Sequence, residues 1–88
     1  MAIPRKLSEN FVATEVDDEV LIVDLDGGLL FSLSGTARAV WQAIDGVSDA
    51  RDIARQMADR HHGDPATIAE DVEELLAELQ AAALVVLQ

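Results

Sequence analysis

The chain has 88 residues, 50% of them apolar and 26% charged, which makes one small globular domain with no room for a second. Six Lys/Arg against 17 Asp/Glu leave a net charge of −11; that repels nucleic-acid phosphates and anionic membrane surfaces, and points to protein or peptide partners carrying positive charge. There is no cysteine, so disulfides and thiolate metal sites are excluded, and the lack of a long apolar run or an apolar N-terminal stretch predicts a cytoplasmic protein.

Residues 1–10 carry Pro4, Arg5 and Lys6 and no hydrophobic period; they read as a flexible arm ahead of a single domain over residues 11–88. Phe11 to Val16 is a short extended segment, closed by the acidic turn Asp17-Asp18-Glu19. Val20 to Leu25 and Leu29 to Leu33 are apolar runs rich in residues that suit strands. Asp26-Gly27-Gly28 between them is a hairpin signal, because glycine supplies the positive φ of tight turns. Three strands in a meander result. Alternation puts Phe31 and Leu33 on one face, predicted to be the core, with Leu30 and Ser32 on the other.

The period then changes to that of helices. Ser34 can cap a helix whose apolar positions are Ala37, Val40, Trp41 and Ile44, and Asp45-Gly46 stops it. Ser48 or Asp49 opens a second helix with Ala50, Ile53, Ala54 and Met57 inward and Arg51, Arg55 and Arg60 outward; His61-His62-Gly63 ends it. Asp64 as N-cap and Pro65 at the first helical position open a third. Its apolar stripe is Ile68, Val72, Leu75, Leu76 and Leu79. Leu84 to Leu87 is an extended apolar tail expected to pack back. Strands followed by helices read as an α+β fold, resembling a winged helix-turn-helix with a three-stranded antiparallel sheet placed before three helices.

From Asp64 to Gln88 there are six acids and no Lys or Arg. Glu70/Glu74 and Glu74/Glu78 are like charges four apart, each pair costing about 0.2–0.5 kcal/mol in an isolated helix. An all-acidic face either solubilises the helix or meets something basic. The other feature without an assigned role is the strand Leu29 to Leu33. It closes the meander, so it lies at a sheet edge, and it has none of the Lys, Pro or bulges that blunt edges. Either the helices or the tail cover it, or a peptide adds to it as a further strand.

Other candidates read as structure. Trp41 lies on an apolar stripe and is a core anchor rather than a ligand platform. His61, His62 and Asp64 are a helix-ending loop, since adjacent His side chains point apart and no second pair exists. Ser32 and Ser34 have no base placed by any motif. Asp26-Gly27-Gly28 joins strand to strand and so is no phosphate cradle. Nothing in the pattern calls for a catalytic residue, a metal or a cofactor.

The string VLIVDLDGGLLFSLSGTARAVWQAIDGVSDARDIARQMADRH, followed by AEDVEELLAELQAAALV, resembles the PqqD-like peptide chaperones, or RiPP recognition elements. It carries a strand, an Asp/Gly hairpin, an aromatic-x-Leu strand, a small-residue cap before a Trp-bearing helix, an Ile-Ala helix and an acidic third helix. The resemblance implies a non-catalytic protein that binds the leader segment of a ribosomally made precursor peptide. It also implies presentation of that precursor to a modifying enzyme, such as a radical SAM enzyme or the protease and cyclase of lasso peptides. In that family the leader adds to the third strand, in a groove against the third helix. Carried over, the site is Leu29, Leu30, Phe31 and Ser32, mostly through main chain, with Asp71, Glu74, Leu75 and Glu78 on the helix. Two positions depart from the family pattern: Leu33-Ser34 replaces Leu-Asn, and Ala83 stands where glycine usually precedes the final Leu, removing an easy left-handed helix exit.

Three other readings compete. A winged-helix DNA-binding regulator would set six carboxylates against phosphate. An acidic protein-protein adaptor fits the charge without naming a site. An acyl carrier needs an Asp-Ser-Leu attachment site, whereas Ser34 is followed by Gly35 and preceded by a strand. The bare edge also leaves a homodimer open.

Overall fold

A computed structural model describes residues 3–61 and 64–88. In chain order the elements are β1 (Pro4–Lys6), a 3-10 turn (Ser8–Asn10), β2 (Phe11–Val16), β3 (Glu19–Asp24), β4 (Leu30–Ser34), α1 (Gly35–Ala43), α2 (Ala50–His61), α3 (Pro65–Ala81) and β5 (Val85–Leu87). The α+β architecture is the expected one: an antiparallel sheet of order β2-β3-β4, then three helices.

The N-terminal segment differs from its reading as an arm. Pro4–Lys6 pairs antiparallel with β5, Arg5 opposite Val86, in a second, two-stranded sheet. Sequence periodicity could not reveal a three-residue strand, because its partner lies at the other end of the chain. The apolar tail does pack back as expected: Leu84 and Val85 are fully buried.

Val20 and Ile22 of β3, Leu33 of β4, Val40, Trp41 and Ile44 around α1, Ile53 and Met57 of α2, and Val72, Leu76 and Leu79 of α3 join that tail in one core. Each such side chain contributes about 1.5–3 kcal/mol on full burial. Trp41 is buried as a core anchor, with the Phe11 ring edge-on at 5.3 Å. Phe31 is half-buried against the same core and Leu33 is buried, so the predicted inward face of β4 is observed.

Local chemistry fixes the helix ends. Ser34 is the N-cap of α1, but its side chain makes no capping hydrogen bond. Between Ser48 and Asp49, Asp49 opens α2: its Oδ1 accepts from the Asp52 N–H at 2.8 Å, and Asp52 Oδ2 accepts from the Asp49 N–H at 3.3 Å, a reciprocal capping box. Asp64 caps α3 by accepting from the Ala66 N–H, with Pro65 at the first position. The end of α2 at His62-Gly63 lies outside the described residues.

The exit of α3 solves the problem posed by Ala83. This residue takes φ +61°, the left-handed region, without being glycine. Its N–H donates to the Gln80 carbonyl and that of Leu84 to the Leu79 carbonyl, both at 3.0 Å. That is a Schellman motif, with Leu79 and Leu84 both buried beside it. The Asn10 side chain donates to the Ala83 carbonyl at 3.1 Å, tying the strained residue to the 3-10 turn.

Candidate functional site

The outer edge of β4 carries no partner strand among the described residues. The termini, which could have covered it, pair with each other in the second sheet. Hydrogen-bonding alternation decides what the edge offers. The Asp24 N–H donates to the Leu29 carbonyl at 2.9 Å, and the register runs on through Ile22 opposite Phe31 and Val20 opposite Leu33. Leu29, Phe31 and Leu33 therefore spend their main-chain groups on β3, while Leu30 and Ser32 turn theirs outward. An added strand would meet those two residues.

The hairpin that delivers this edge is held by one side chain. Asp24 Oδ1 accepts from the Asp26 N–H and Oδ2 from the Gly27 N–H, each at 3.1 Å. The Gly28 N–H donates to the Asp24 carbonyl at 2.8 Å, and the φ of +72° at Gly28 then turns the chain toward β4.

The four β4 candidates occupy one stretch, with Leu29 as the last loop residue rather than the first of the strand. Leu29, Leu30 and Ser32 are exposed, and only Phe31 turns its side chain toward the helices. The other four share one flank of α3. Asp71, Glu74 and Glu78 are exposed there, and Leu75 is half-buried, forming with Ile68 a shoulder between the acids and the buried stripe. Phe31 and Leu75 are thus apolar margins of the same core. The acids of this flank make no ion pair among the described residues. A recess of about 430 Å³ lies on the opposite flank of α3, between Ala50, Ala54, Ala69, Leu76, Ala77 and Leu87, and none of the eight candidates lines it.

The sheet's other edge, β2, is built differently. With β3 committed to β4 through Val20, Ile22 and Asp24, its bonds to β2 run through Glu19, Leu21 and Val23. Ala13 and Glu15 consequently turn their main chain to the free side. Glu15 is a charge on the helix-facing side of that edge. Its Oε1 accepts from Arg38 Nη2 at 2.8 Å and from Gln42 Nε2 at 2.6 Å. Beside it the Lys6 ammonium lies 4.5 Å from the Trp41 ring centre. Partial burial holds that ammonium below its ordinary pKa. Sequence pattern gave no warning of this cluster, because its members come from β1, β2 and α1.

A family model described as coenzyme PQQ synthesis protein D (PqqD) matches residues 19–85, from the start of β3 to the start of β5. Among solved structures, one of TbiB1 in complex with the TbiA(beta) leader peptide has the same fold: TM-score 0.81 at 24% identity, covering 91% of this chain and 93% of that one. No curated protein matches the chain.

Proposed function

The chain belongs to the PqqD family, and we propose that it binds the leader of a ribosomally made precursor peptide as an added strand on β4. The observation that carries this reading is the unpaired edge at which Leu30 and Ser32 turn their main chain outward. Fold likeness to a protein solved with a leader peptide supports it. The role is non-catalytic: one peptide-binding domain presents the rest of the precursor to a modifying enzyme, in the cytoplasm where such peptides are made.

On this reading Leu29 to Ser32 provide mainly main chain, Phe31 and Leu75 an apolar seat, and Asp71, Glu74 and Glu78 a negative border. Each main-chain hydrogen bond adds about 0.5–1.5 kcal/mol, and each apolar side chain fully buried about 1.5–3 kcal/mol. Ordering the peptide offsets part of this, leaving nanomolar to micromolar affinity.

Fluorescence anisotropy with a labelled leader tests the proposal. Saturable binding is expected, and Leu75→Asp should weaken it about tenfold or more while the circular dichroism spectrum keeps its shape. Unchanged affinity in that variant would remove the helix from the site. The DNA-binding alternative predicts a gel shift at low salt; none is expected from a third helix without a single basic residue.

A further inference from the structure

The face of the β2-β3-β4 sheet turned away from the helices carries a cross-strand apolar row that nothing covers among the described residues. Val12 pairs with Val23 and Val23 with Leu30, and their exposures are 58%, 40% and 65%. Leu21 lies in the next row on the same face, between Thr14 and Ser32. Leu25 is exposed at the hairpin end of the same face. Isolated apolar residues on a surface are ordinary, but a continuous row across three strands is a mark of an interaction face.

Charge says what kind of partner fits. From Phe11 to Ser34 the chain has six acids and no Lys or Arg. Asp17, Asp18 and Glu19 stand exposed at one end of the sheet, and Asp26 at the other. A second copy laid face to face would bring acid rim against acid rim. An anionic membrane surface is repelled in the same way.

We propose that this outer face docks a second protein through an apolar patch bordered by Lys and Arg. This surface meets the strand-addition site only at Leu30, whose side chain joins the outer row while its main chain forms the β4 edge; Val12, Leu21 and Val23 lie outside that site. Because Val12 and Val23 take no part in the leader site, variants at those two positions test this face apart from leader binding.

A defined probe makes the test concrete. The 15N-labelled protein is titrated with an amphipathic helical peptide of leucine and lysine, which cannot add as a strand, and separately with its leucine/glutamate counterpart. The expected result is amide shift changes centred on Val12, Leu21, Val23 and Leu30, with the lysine peptide binding about tenfold tighter at low salt. Val12→Ser with Val23→Ser should weaken that binding about tenfold, with the amide spectrum otherwise retained. Shifts confined to the α2/α3 recess or to the α3 acids would overturn the proposal, as would equal binding of both peptides. So would a protein that sediments as a dimer at low salt through this face, because the occupant would then be a second copy.

Discussion

The two edges of the same three-stranded sheet have been left in different states. At β2 the outward main chain of Ala13 and Glu15 is accompanied by a carboxylate on the helix-facing side, held by Arg38 and Gln42. A strand arriving there would have to desolvate or displace that cluster. At β4 the stretch from Leu29 to Ser34 contains no charge at all, and the side chains flanking the edge are apolar or hydroxyl. Proteins protect edges with inward-pointing charge. This one protects β2 and leaves β4 ready to be paired, which is the physical content of assigning a peptide to β4.

The contrast can be broken most directly at the main chain. Ser32→Pro deletes an N–H that points outward from β4 and leaves the ladder to β3 intact. Leader affinity should fall about tenfold, the equivalent of one to two hydrogen bonds. Ala13→Pro makes the mirror change on β2 and should leave leader affinity unaltered. Anisotropy titrations of both variants read the difference, and equal losses would mean that β4 is not the preferred edge.

Removing the guard is the next largest change. Glu15→Val leaves Arg38, whose Nε is already buried without a hydrogen bond, lacking its carboxylate, and gives β2 an uncharged edge. The ion pair is partly exposed and worth at most about 1 kcal/mol, so the domain should stay folded. Sedimentation equilibrium should then detect stronger concentration-dependent association than wild type shows under the same conditions. A monomeric variant would mean that Glu15 does not protect the edge.

A smaller effect separates fold from site. Ala83 sits at φ +61°, where an L-residue costs about 1–2 kcal/mol, partly offset by the extra chain entropy that glycine loses on folding. Ala83→Gly should stabilise the domain by about 0.5–1 kcal/mol, raising Tm by several degrees in a domain of this size. Leader affinity should not change, since neither edge is touched. The smallest expected effect is at Asp45, where N–H groups of Ser48 and Val47 hold the carboxyl below its ordinary pKa of 3.8. A depressed folded-state pKa stabilises above the unfolded value, and that contribution fades as pH falls from about 4 through the folded value. Asp45→Asn should therefore flatten the acid limb of Tm against pH, and an unchanged slope would rule out a contribution from this carboxyl.

Much of the framework was legible because it rests on local rules. The three strands, the three helices, the Asp64-Pro65 start and the inward Phe31/Leu33 face follow from periodicity and capping chemistry acting over a few residues. The sequence also pointed to Leu29–Ser32 and to the α3 flank, since an unblunted strand and an all-acidic helix side are visible in one dimension. Leu29 proved to be the residue before the strand, as the Asp24-centred turn extends the hairpin loop by one position.

What the chain determined by itself was thus alternation, helix ends and the distribution of charge, all governed by neighbours within a turn or a strand. Tertiary structure decided that the ends of the chain pair with one another instead of closing β4. It decided that Glu15 meets Arg38, and that Asn10 and buried Leu84 hold Ala83 in a left-handed exit. Glu15 and Arg38 are 23 positions apart, Asn10 and Ala83 are 73 apart, and the paired ends lie farther apart still. They are selected by which surfaces the common core brings together, and no local pattern encodes that choice.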